Sequence, residues 1–212
     1  MTPQDQSRLA ADICAAAPVV PVLVVDDAAH AQPLASALVA GGLPALEVTL
    51  RTEAALDVIR EMAAVDGGIV GAGTLLTGRD VEAAKAAGAR FGVSPGATDD
   101  IIDACIANEL PLLPGAATAT EVMLLLDRGY TTQKFFPAEA SGGAKALGSF
   151  ASPLPHVTFC PTGGVSLANA HDYIKLSNVA CVGGSWVAPK ALVEAGDWDG
   201  IEQLAKEASG LA

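Results

Sequence analysis

Short apolar runs recur along the chain, and a segment with helical spacing follows each of them. The runs predict eight strands, at residues 19–25, 45–50, 68–74, 90–95, 110–116, 131–137, 156–161 and 178–185. Nearly continuous apolar strands are typical of a parallel sheet that is covered by helices. The segments between them carry apolar residues three and four positions apart, which predicts amphipathic helices. The least regular segment is "ASGGAKALGSFASP", where glycine and serine interrupt the helical pattern.

Eight strand–helix units in 212 residues predict a compact (β/α)8 barrel, the TIM-barrel fold. An additional helix is expected ahead of the repeat, at about residues 4–16. An open doubly wound sheet is the alternative, but the sequence has neither a GxGxxG nor a GxxxxGK[ST] phosphate loop. No linker or low-complexity tract divides the chain, so residues 1–212 are predicted to form a single domain.

Composition narrows the class of protein. The formal charge of −12 has no basic patch to offset it, which argues against nucleic acid and anionic membrane surfaces as partners. No apolar run reaches the roughly 20 residues that a membrane-spanning helix needs, and the N-terminus does not resemble a signal peptide. The four cysteines are scattered and no histidines are paired, so we expect reduced thiols, a cytoplasmic location and no metal site.

Lys134 is the only one of the six lysines that falls inside a predicted strand. Side chains alternate along a strand, so Lys134 shares a face with Thr132 and Phe136, whereas Gln133 and Phe135 take the other. This alternation turns Lys134 inwards if Phe135 packs under the helices. A desolvated amine has a lowered pKa and can attack a carbonyl group to form a Schiff base. A lysine that snorkels to solvent, or a structural ion pair, is an equally good interpretation of this residue alone.

The second strand, "LEVTLR", places Glu47 and Arg51 on one face and apolar residues on the other. The apolar set suits the layer between sheet and helices, so the polar set is predicted to face the interior. A carboxylate there is costly unless it is paired or used in chemistry. It could form a structural ion pair with Arg51 or Lys134. Alternatively, Glu47 transfers protons and Arg51 binds a substrate carboxylate.

Glycine pairs follow the seventh and eighth strands. Gly163 and Gly164 precede a predicted helix, and Gly183 and Gly184 stand before Ser185. Barrels commonly bind phosphate at these two positions through backbone amides and a helix N-terminus. Ordinary tight turns also use paired glycines, but their occurrence at both positions favours phosphate. An acidic protein can bind an anion in this way without net positive charge.

The motifs "EVTLRT", "GAGT", "SPG", "PGA", "KFFPAE", "PTGGV" and "GGSW" occur in this order from about Ala15 to Pro189. Together they resemble the class I aldolases of the Entner–Doudoroff pathway, the 2-keto-3-deoxy-6-phosphogluconate (KDPG) and 4-hydroxy-2-oxoglutarate (KHG) aldolase family. The resemblance implies a small (β/α)8 barrel that assembles as a homotrimer. It also implies cleavage of the keto acid phosphate to pyruvate and glyceraldehyde 3-phosphate, with no metal or other cofactor, because an iminium serves as the electron sink.

The resemblance assigns a role to each matching position. Lys134 corresponds to the Schiff-base lysine and Glu47 to the general acid and base. The positions implied to bind substrate are Arg51, Thr74, Pro95, Phe136, Thr162, Gly163, Gly164, Gly184 and Ser185. Among these, Arg51 and Thr74 are implied to hold the pyruvyl carboxylate, and the residues from Thr162 onwards to hold the phosphate.

Two other functions remain open at this stage. One is a pyruvate aldolase of the same fold that prefers the C4-epimeric 6-phosphogalactonate or 4-hydroxy-2-oxoglutarate. The other is a non-catalytic barrel that binds sugar phosphates, with Lys134 and Glu47 as a buried ion pair. The hydroxyl of Thr162 favours the gluconate substrate but does not fix the stereochemistry at C4.

Overall fold

The computed structural model describes residues 1–211, and it has an α/β fold. The strands are β1 (Val19–Leu23), β2 (Ala45–Thr49), β3 (Ile69–Gly73), β4 (Phe91–Val93), β5 (Leu112–Leu113), β6 (Gly115–Ala116), β7 (Thr132–Phe135), β8 (Thr158–Pro161) and β9 (Val182–Gly184). The helices are α1 (Pro3–Cys14), α2 (Ala31–Ala40), α3 (Ala55–Met62), α4 (Gly78–Ala86), α5 (Asp99–Ala107), α6 (Ala119–Asp127), α7 (Gly143–Ser149), α8 (Ala170–Ile174), α9 (Lys190–Ala195) and α10 (Trp198–Ser209). None of these helices combines the length and the apolar character that crossing a membrane requires.

The strands form two parallel groups. Six of them make a sheet in the order β5-β4-β3-β2-β1-β9, which curls into a half-barrel, and β6-β7-β8 make a second group. Two single-residue parallel bridges, Phe159 to Val179 and Thr162 to Gly183, connect the second group to the segment that contains β9. The carboxyl ends of all strands therefore lie at one end of the fold, as the predicted strand–helix alternation requires.

The fifth predicted strand, residues 110–116, is not continuous. It is divided into β5 and β6 by Pro114, whose ring nitrogen has no hydrogen to donate to a sheet. The carbonyl of Pro114 still accepts a hydrogen bond of 2.8 Å from the amide of Lys134. The interruption thus separates the two groups of strands without detaching β7 from its neighbour.

Threonines fix the starts of several helices. Thr2, Thr77 and Thr118 each form a capping box with the acidic residue three positions later, which satisfies amide groups at the N-termini of α1, α4 and α6. The segment with the weakest helical pattern nevertheless contains α7. There, Gly142 takes a left-handed conformation with φ 103° ahead of the helix, and the buried Leu147 anchors it.

Two apolar clusters cover the two faces of the strands. The larger one fills the layer between strands and helices and includes Leu46, Val48 and Phe135. The smaller one lies on the inner face and includes Val20, Phe91, Val93 and three cysteines. The inner face is thus packed with side chains at its N-terminal end, and α1 covers it there, because Cys14 at the end of α1 belongs to this cluster.

The C-terminal segment, for which the sequence patterns suggest no role, completes the helical layer. Helix α10 buries Ile201, Ala205 and Ala208. Its approach to α2 requires glycine at position 41, because a β-carbon there would lie 2.3 Å from that of Ala205. The segment after Pro189 is therefore part of the core.

Candidate active site

Lys134 points to the inner face, as the alternation along its strand predicts. It lies in β7 and only 5% of its surface is exposed. The neighbouring Phe135 faces the helices and packs edge-on against Phe150 and Phe159. Gln133 also faces the helices, where its side-chain amide donates hydrogen bonds to the carbonyl groups of Val122 and Tyr130. These bonds explain how a glutamine is tolerated there and why it does not turn Lys134 outwards.

The partner of Lys134 is Glu47. Its Oε1 lies 3.2 Å from the Lys134 Nζ, and both side chains are more than nine-tenths buried. Two charges removed from water are stable only when each is compensated, so neither residue could be replaced alone without cost. The distance is also within the range for direct proton transfer. The other pair that the sequence allows, Glu47 with Arg51, is not formed in residues 1–211.

Glycine at position 73 makes room for this carboxylate. Gly73 ends β3, the strand beside β2, and is the register partner of Thr49. A β-carbon on Gly73 would lie 2.2 Å from Oε1 of Glu47 and 2.6 Å from its Cγ. Gly73 received no predicted role, since only Thr74 of "GAGT" was assigned to substrate. The close contact is made with a side chain of the neighbouring strand.

Two further predicted residues surround the amine at the carboxyl ends of the strands. The ring of Phe136 has its centroid 5.2 Å from the Lys134 Nζ, close enough for a cation–π interaction. Thr74 follows β3 with φ 60°, a left-handed conformation that a β-branched residue rarely adopts. Such a conformation costs about 1–3 kcal/mol and is concentrated at functional sites. Thr74 directly follows Gly73, the residue that lies against the Glu47 carboxylate, and its role in binding stays a prediction.

Arg51 lies just beyond β2 and is exposed. Within residues 1–211, no carboxylate forms an ion pair with its guanidinium group. Pro95 is half-buried and lines a cleft of about 150 Å³ together with Phe136, Gly115 and Leu124. The free cation of Arg51 and this cleft both lie at the carboxyl ends of the strands.

The predicted phosphate residues meet across β8 and β9. Thr162 is 5% exposed and bridges to Gly183, where a β-carbon would lie 2.2 Å from the Thr162 hydroxyl oxygen. Gly163 and Gly164 follow with left-handed φ values of 98° and 80°. Gly184 is buried against Trp186, whose ring would lie 1.7 Å from a β-carbon at position 184. The exposed Ser185 comes next along the chain.

The helix predicted after Gly163 and Gly164 is present, but it does not follow the glycines directly. Helix α8 begins only at Ala170, because Ser166 and Asn169 form a turn in which the Ser166 amide donates to the Asn169 side chain. An anion here would therefore be held by the amides of the turn and not by a helix N-terminus.

Glu139 is a residue of this end that the sequence analysis did not assign. Its amide donates to the carbonyl of Gly163 at 3.0 Å, and its carboxylate accepts a hydrogen bond from the Tyr173 hydroxyl. Burial, followed by this contact, raises the pKa of Tyr173. These hydrogen bonds hold the segment after Lys134 against the turn at Gly163. The sequence contained a signal for Glu139, since this residue ends the motif "KFFPAE".

A thiol cluster lies towards the N-terminal end of the same face. Cys160 is the register partner of Lys134, and its sulfur lies near those of Cys14 and Cys181. Hydrogen bonds from Cys14 and then Cys181 hold the pKa of the Cys160 thiol well below its usual value, and the charge of Lys134 acts in the same direction. The contact with Cys160 raises the pKa of the Cys14 thiol, and the contacts with Cys14 and then Cys160 raise the pKa of the Cys181 thiol.

A surface pocket of about 600 Å³ lies at the N-terminal end of the strands, between α1 and residues such as Ile69 and Arg90. It contains none of the predicted site residues. The chemistry-bearing groups converge at the opposite end, and we locate the candidate active site there because that is where a buried amine and a carboxylate meet.

Known proteins provide an independent comparison. A family model described as "KDPG and KHG aldolase" matches residues 10–204. A 2-dehydro-3-deoxy-phosphogluconate aldolase of Pseudoalteromonas atlantica is 54% identical over 198 residues, which cover 93% of this chain and 92% of the relative.

Solved structures agree in fold. A crystal structure of 2-keto-3-deoxy-6-phosphogluconate aldolase from Zymomonas mobilis superimposes with a TM-score of 0.89 at 50% identity and covers 95% of this chain and 96% of its own. A KDPG aldolase from Legionella pneumophila superimposes with a TM-score of 0.91 at 42% identity, covering 94% of this chain and 98% of its own. The latter structure holds pyruvate as a covalent carbinolamine intermediate.

Proposed function

Because this chain belongs to the KDPG and KHG aldolase family, we propose that it cleaves 2-dehydro-3-deoxy-6-phosphogluconate to pyruvate and glyceraldehyde 3-phosphate through a Schiff base at Lys134. It is a carbon–carbon lyase. The observation that carries the assignment of the site is the buried Lys134 amine, 3.2 Å from the Glu47 carboxylate at the carboxyl ends of the strands.

Lys134 is the nucleophile of the proposed mechanism. Its neutral amine attacks the C2 ketone, and Glu47 transfers the protons that turn the resulting carbinolamine into an iminium with loss of water. A carboxylate at hydrogen-bond distance takes up the proton that the attack releases.

The iminium then accepts the electrons of the breaking bond. Removal of the proton from the C4 hydroxyl cleaves the C3–C4 bond, and the electron pair moves into the enamine of pyruvate. Glyceraldehyde 3-phosphate leaves. Protonation of the enamine carbon and hydrolysis of the imine release pyruvate and restore Lys134.

Binding is assigned to the surrounding residues by position. Arg51, exposed and unpaired within residues 1–211, offers a planar fork for the pyruvyl carboxylate, with Thr74 beside it. Pro95 and Phe136 form an apolar wall. The phosphate is assigned to Thr162, Gly163, Gly164, Gly184 and Ser185, where two left-handed glycines orient successive amides in a turn.

A second substrate, 4-hydroxy-2-oxoglutarate, is favoured by one observation. The family model covers both KDPG and KHG aldolases. Schiff-base formation involves only the pyruvyl half, which the two substrates share. Relative rates on the two substrates and on the C4 epimer rank these activities.

We also propose that the two groups of strands close into one (β/α)8 barrel and that the chain is a single domain. The bridges from β8 to the β9 segment join the groups on one side. On the other side only Pro114 separates β5 from β6. Deuterium exchange tests this, because a closed barrel predicts protected amides in β8 and β9 as well as in the central strands.

A homotrimer in the cytoplasm is the proposed state of the protein. Large apolar side chains remain exposed in the single chain, namely Val24, Leu76, Met123, Leu124 and Leu167, and such groups commonly mark subunit interfaces. All four cysteines are free, which fits a reducing compartment. Light scattering coupled to gel filtration measures the subunit number, and a monomeric mass would contradict the trimer.

Borohydride trapping tests the proposed chemistry directly. The protein is incubated with pyruvate and borohydride, and the modified peptide is located by mass spectrometry. We expect modification of Lys134 and its loss in Lys134→Arg, because a guanidinium group cannot act as the nucleophile. Lys145→Arg, an exposed position in α7, is the matched control and should leave the adduct unchanged. No adduct, or one on another lysine, would contradict the assignment.

A further inference from the structure

Three cysteines that lie far apart in the sequence come together on the inner face of the strands. Cys14 ends α1, Cys160 lies in β8, and Cys181 directly precedes β9. Their sulfur atoms all lie within 4.8 Å of one another. Each residue is at most 2% exposed. The remaining cysteine, Cys105 in α5, is buried elsewhere and takes no part in this cluster.

We propose that Cys14, Cys160 and Cys181 form a binding site for one thiophilic d10 cation of the class of Zn²⁺ and Cd²⁺. Thiolate sulfur is the ligand that these cations prefer in proteins. A trigonal site with metal–sulfur bonds of about 2.3 Å places its sulfurs about 4.0 Å apart. Because the three sulfurs already lie within 4.8 Å of one another, they are close enough to bind one cation together.

A small internal space adjoins two of the sulfurs. A cavity of about 10 Å³ is lined by Cys14, Cys160 and Glu47, with apolar side chains such as Phe91 around the rest. This is about the volume that one water molecule, or one ion of similar size, occupies. The cavity offers a fourth oxygen or water ligand beside the three sulfurs, which would complete a tetrahedral set.

The charges around the cluster are compatible with a bound divalent cation. Cation binding replaces three sulfur–hydrogen bonds with three metal–sulfur bonds and releases three protons to the buffer, with no change of oxidation state. Three thiolates and one divalent cation carry one net negative charge. Lys134, whose register partner is Cys160, is paired with Glu47, so this neighbouring pair adds no net charge to the site. The site adjoins the proposed active site, since Glu47 lines the same cavity, but Schiff-base formation itself uses no thiol.

Titration with Cd²⁺ alone tests the site, since cadmium bound to thiolate gives an ultraviolet charge-transfer absorption. The protein is reduced with a phosphine, which removes disulfides without adding a competing dithiol. We expect the absorption to saturate at one equivalent of Cd²⁺, and only an excess of Zn²⁺ to compete with it, because the softer Cd²⁺ binds thiolate more tightly. Cys14→Ser and Cys181→Ser should each weaken binding on the order of 100-fold or more, because each removes a ligand.

Cys105→Ser is the matched control, because it changes a buried thiol outside the cluster and should titrate like wild type. Saturation at one equivalent with this pattern supports the site. Absence of the absorption in wild type, or equal titration of Cys14→Ser and wild type, would overturn it and leave the thiols as ordinary apolar packing.

A second measurement needs no variant and covers the case in which the serine variants fail to fold. X-ray absorption at the cadmium edge of the wild-type protein, loaded with one equivalent, reports the atoms bound to the metal. A first shell dominated by sulfur supports the proposal. A shell of oxygen and nitrogen alone would overturn it.

Discussion

The inner face of the strands has two ends with opposite chemistry. At the carboxyl end, the charged pair Lys134 and Glu47 is buried beside Thr162. At the N-terminal end, thiols and apolar side chains such as Phe91 and Val93 fill the space under α1. Strand β8 runs through both ends, since Cys160 and Thr162 are only two positions apart.

This contrast shows where the fold can bury a charged side chain. A buried charge requires a partner, and the pair at the carboxyl end has one at 3.2 Å. The opposite end contains no buried carboxylate or ammonium in its apolar cluster and is stabilised by packing. We therefore expect substitutions at the carboxyl end to affect catalysis first, and substitutions at the N-terminal end to affect stability first.

After loss of the nucleophile itself, the largest expected effect on activity is that of Glu47→Gln. The amide keeps the shape of the side chain but cannot act as a general base, so kcat should fall by about 10²–10⁴-fold. Steady-state cleavage of the keto acid phosphate measures this. Glu61→Gln, at an exposed carboxylate of α3, is the control. A wild-type kcat in Glu47→Gln would remove Glu47 from the mechanism.

Lys134→Met tests the cost of an unpaired charge. It leaves the Glu47 carboxylate buried without its cation, and this should lower the free energy of unfolding by about 3–5 kcal/mol. Adding Glu47→Leu removes the remaining buried charge. It should recover most of the lost free energy of unfolding, because both positions then carry apolar side chains. Urea unfolding of both variants measures the difference. Equal stability of the single and double variants would show that the pair is not coupled in the folded state.

Gly73→Ala tests the space beside Glu47 with one methyl group. The added carbon would lie 2.2 Å from the carboxylate oxygen, so the side chain must move away from Lys134. We expect kcat to fall by roughly tenfold or more and stability by about 1–3 kcal/mol, as for other overpacked sites. The matched control is Gly210→Ala, at the end of α10, where an added carbon makes only ordinary contacts of 3.6 Å or more. Full activity in Gly73→Ala would mean that the position of Glu47 is not critical.

The sequence was sufficient to predict the side-chain directions at the carboxyl end, because these depend only on neighbouring residues within a strand. Alternation within each strand predicts that Lys134 in β7 and Glu47 in β2 face inwards, and the structure confirms both directions. The pairing with Glu47 instead of Arg51 depends on which strands face each other across the interior. That information is not local, so the sequence left the two pairs open.

Features that depend on tertiary contacts were missed for the same reason. The thiol cluster joins residues from α1, β8 and the start of β9, and no short sequence motif such as CxxC predicts it. The left-handed Thr74 and the division of a strand at Pro114 are backbone details. Of these, only the proline had a signal in the sequence, since it removes a donor from the sheet.

The smallest expected effect on activity is that of Val20→Ala, at the N-terminal end. Val20 is 4% exposed and lies one inward-facing position below Val22, the register partner of Glu47. Removing two methyl groups from this packed cluster should lower the free energy of unfolding by about 2 kcal/mol. No charge or hydrogen-bonding group changes, so kcat should stay within about twofold of wild type, a difference of less than 0.5 kcal/mol in barrier height. Urea unfolding and steady-state kinetics on the same preparation provide both values. A loss of kcat comparable to that of Gly73→Ala would show that packing at the N-terminal end positions the carboxylate, and the two ends would then have to be treated as one unit.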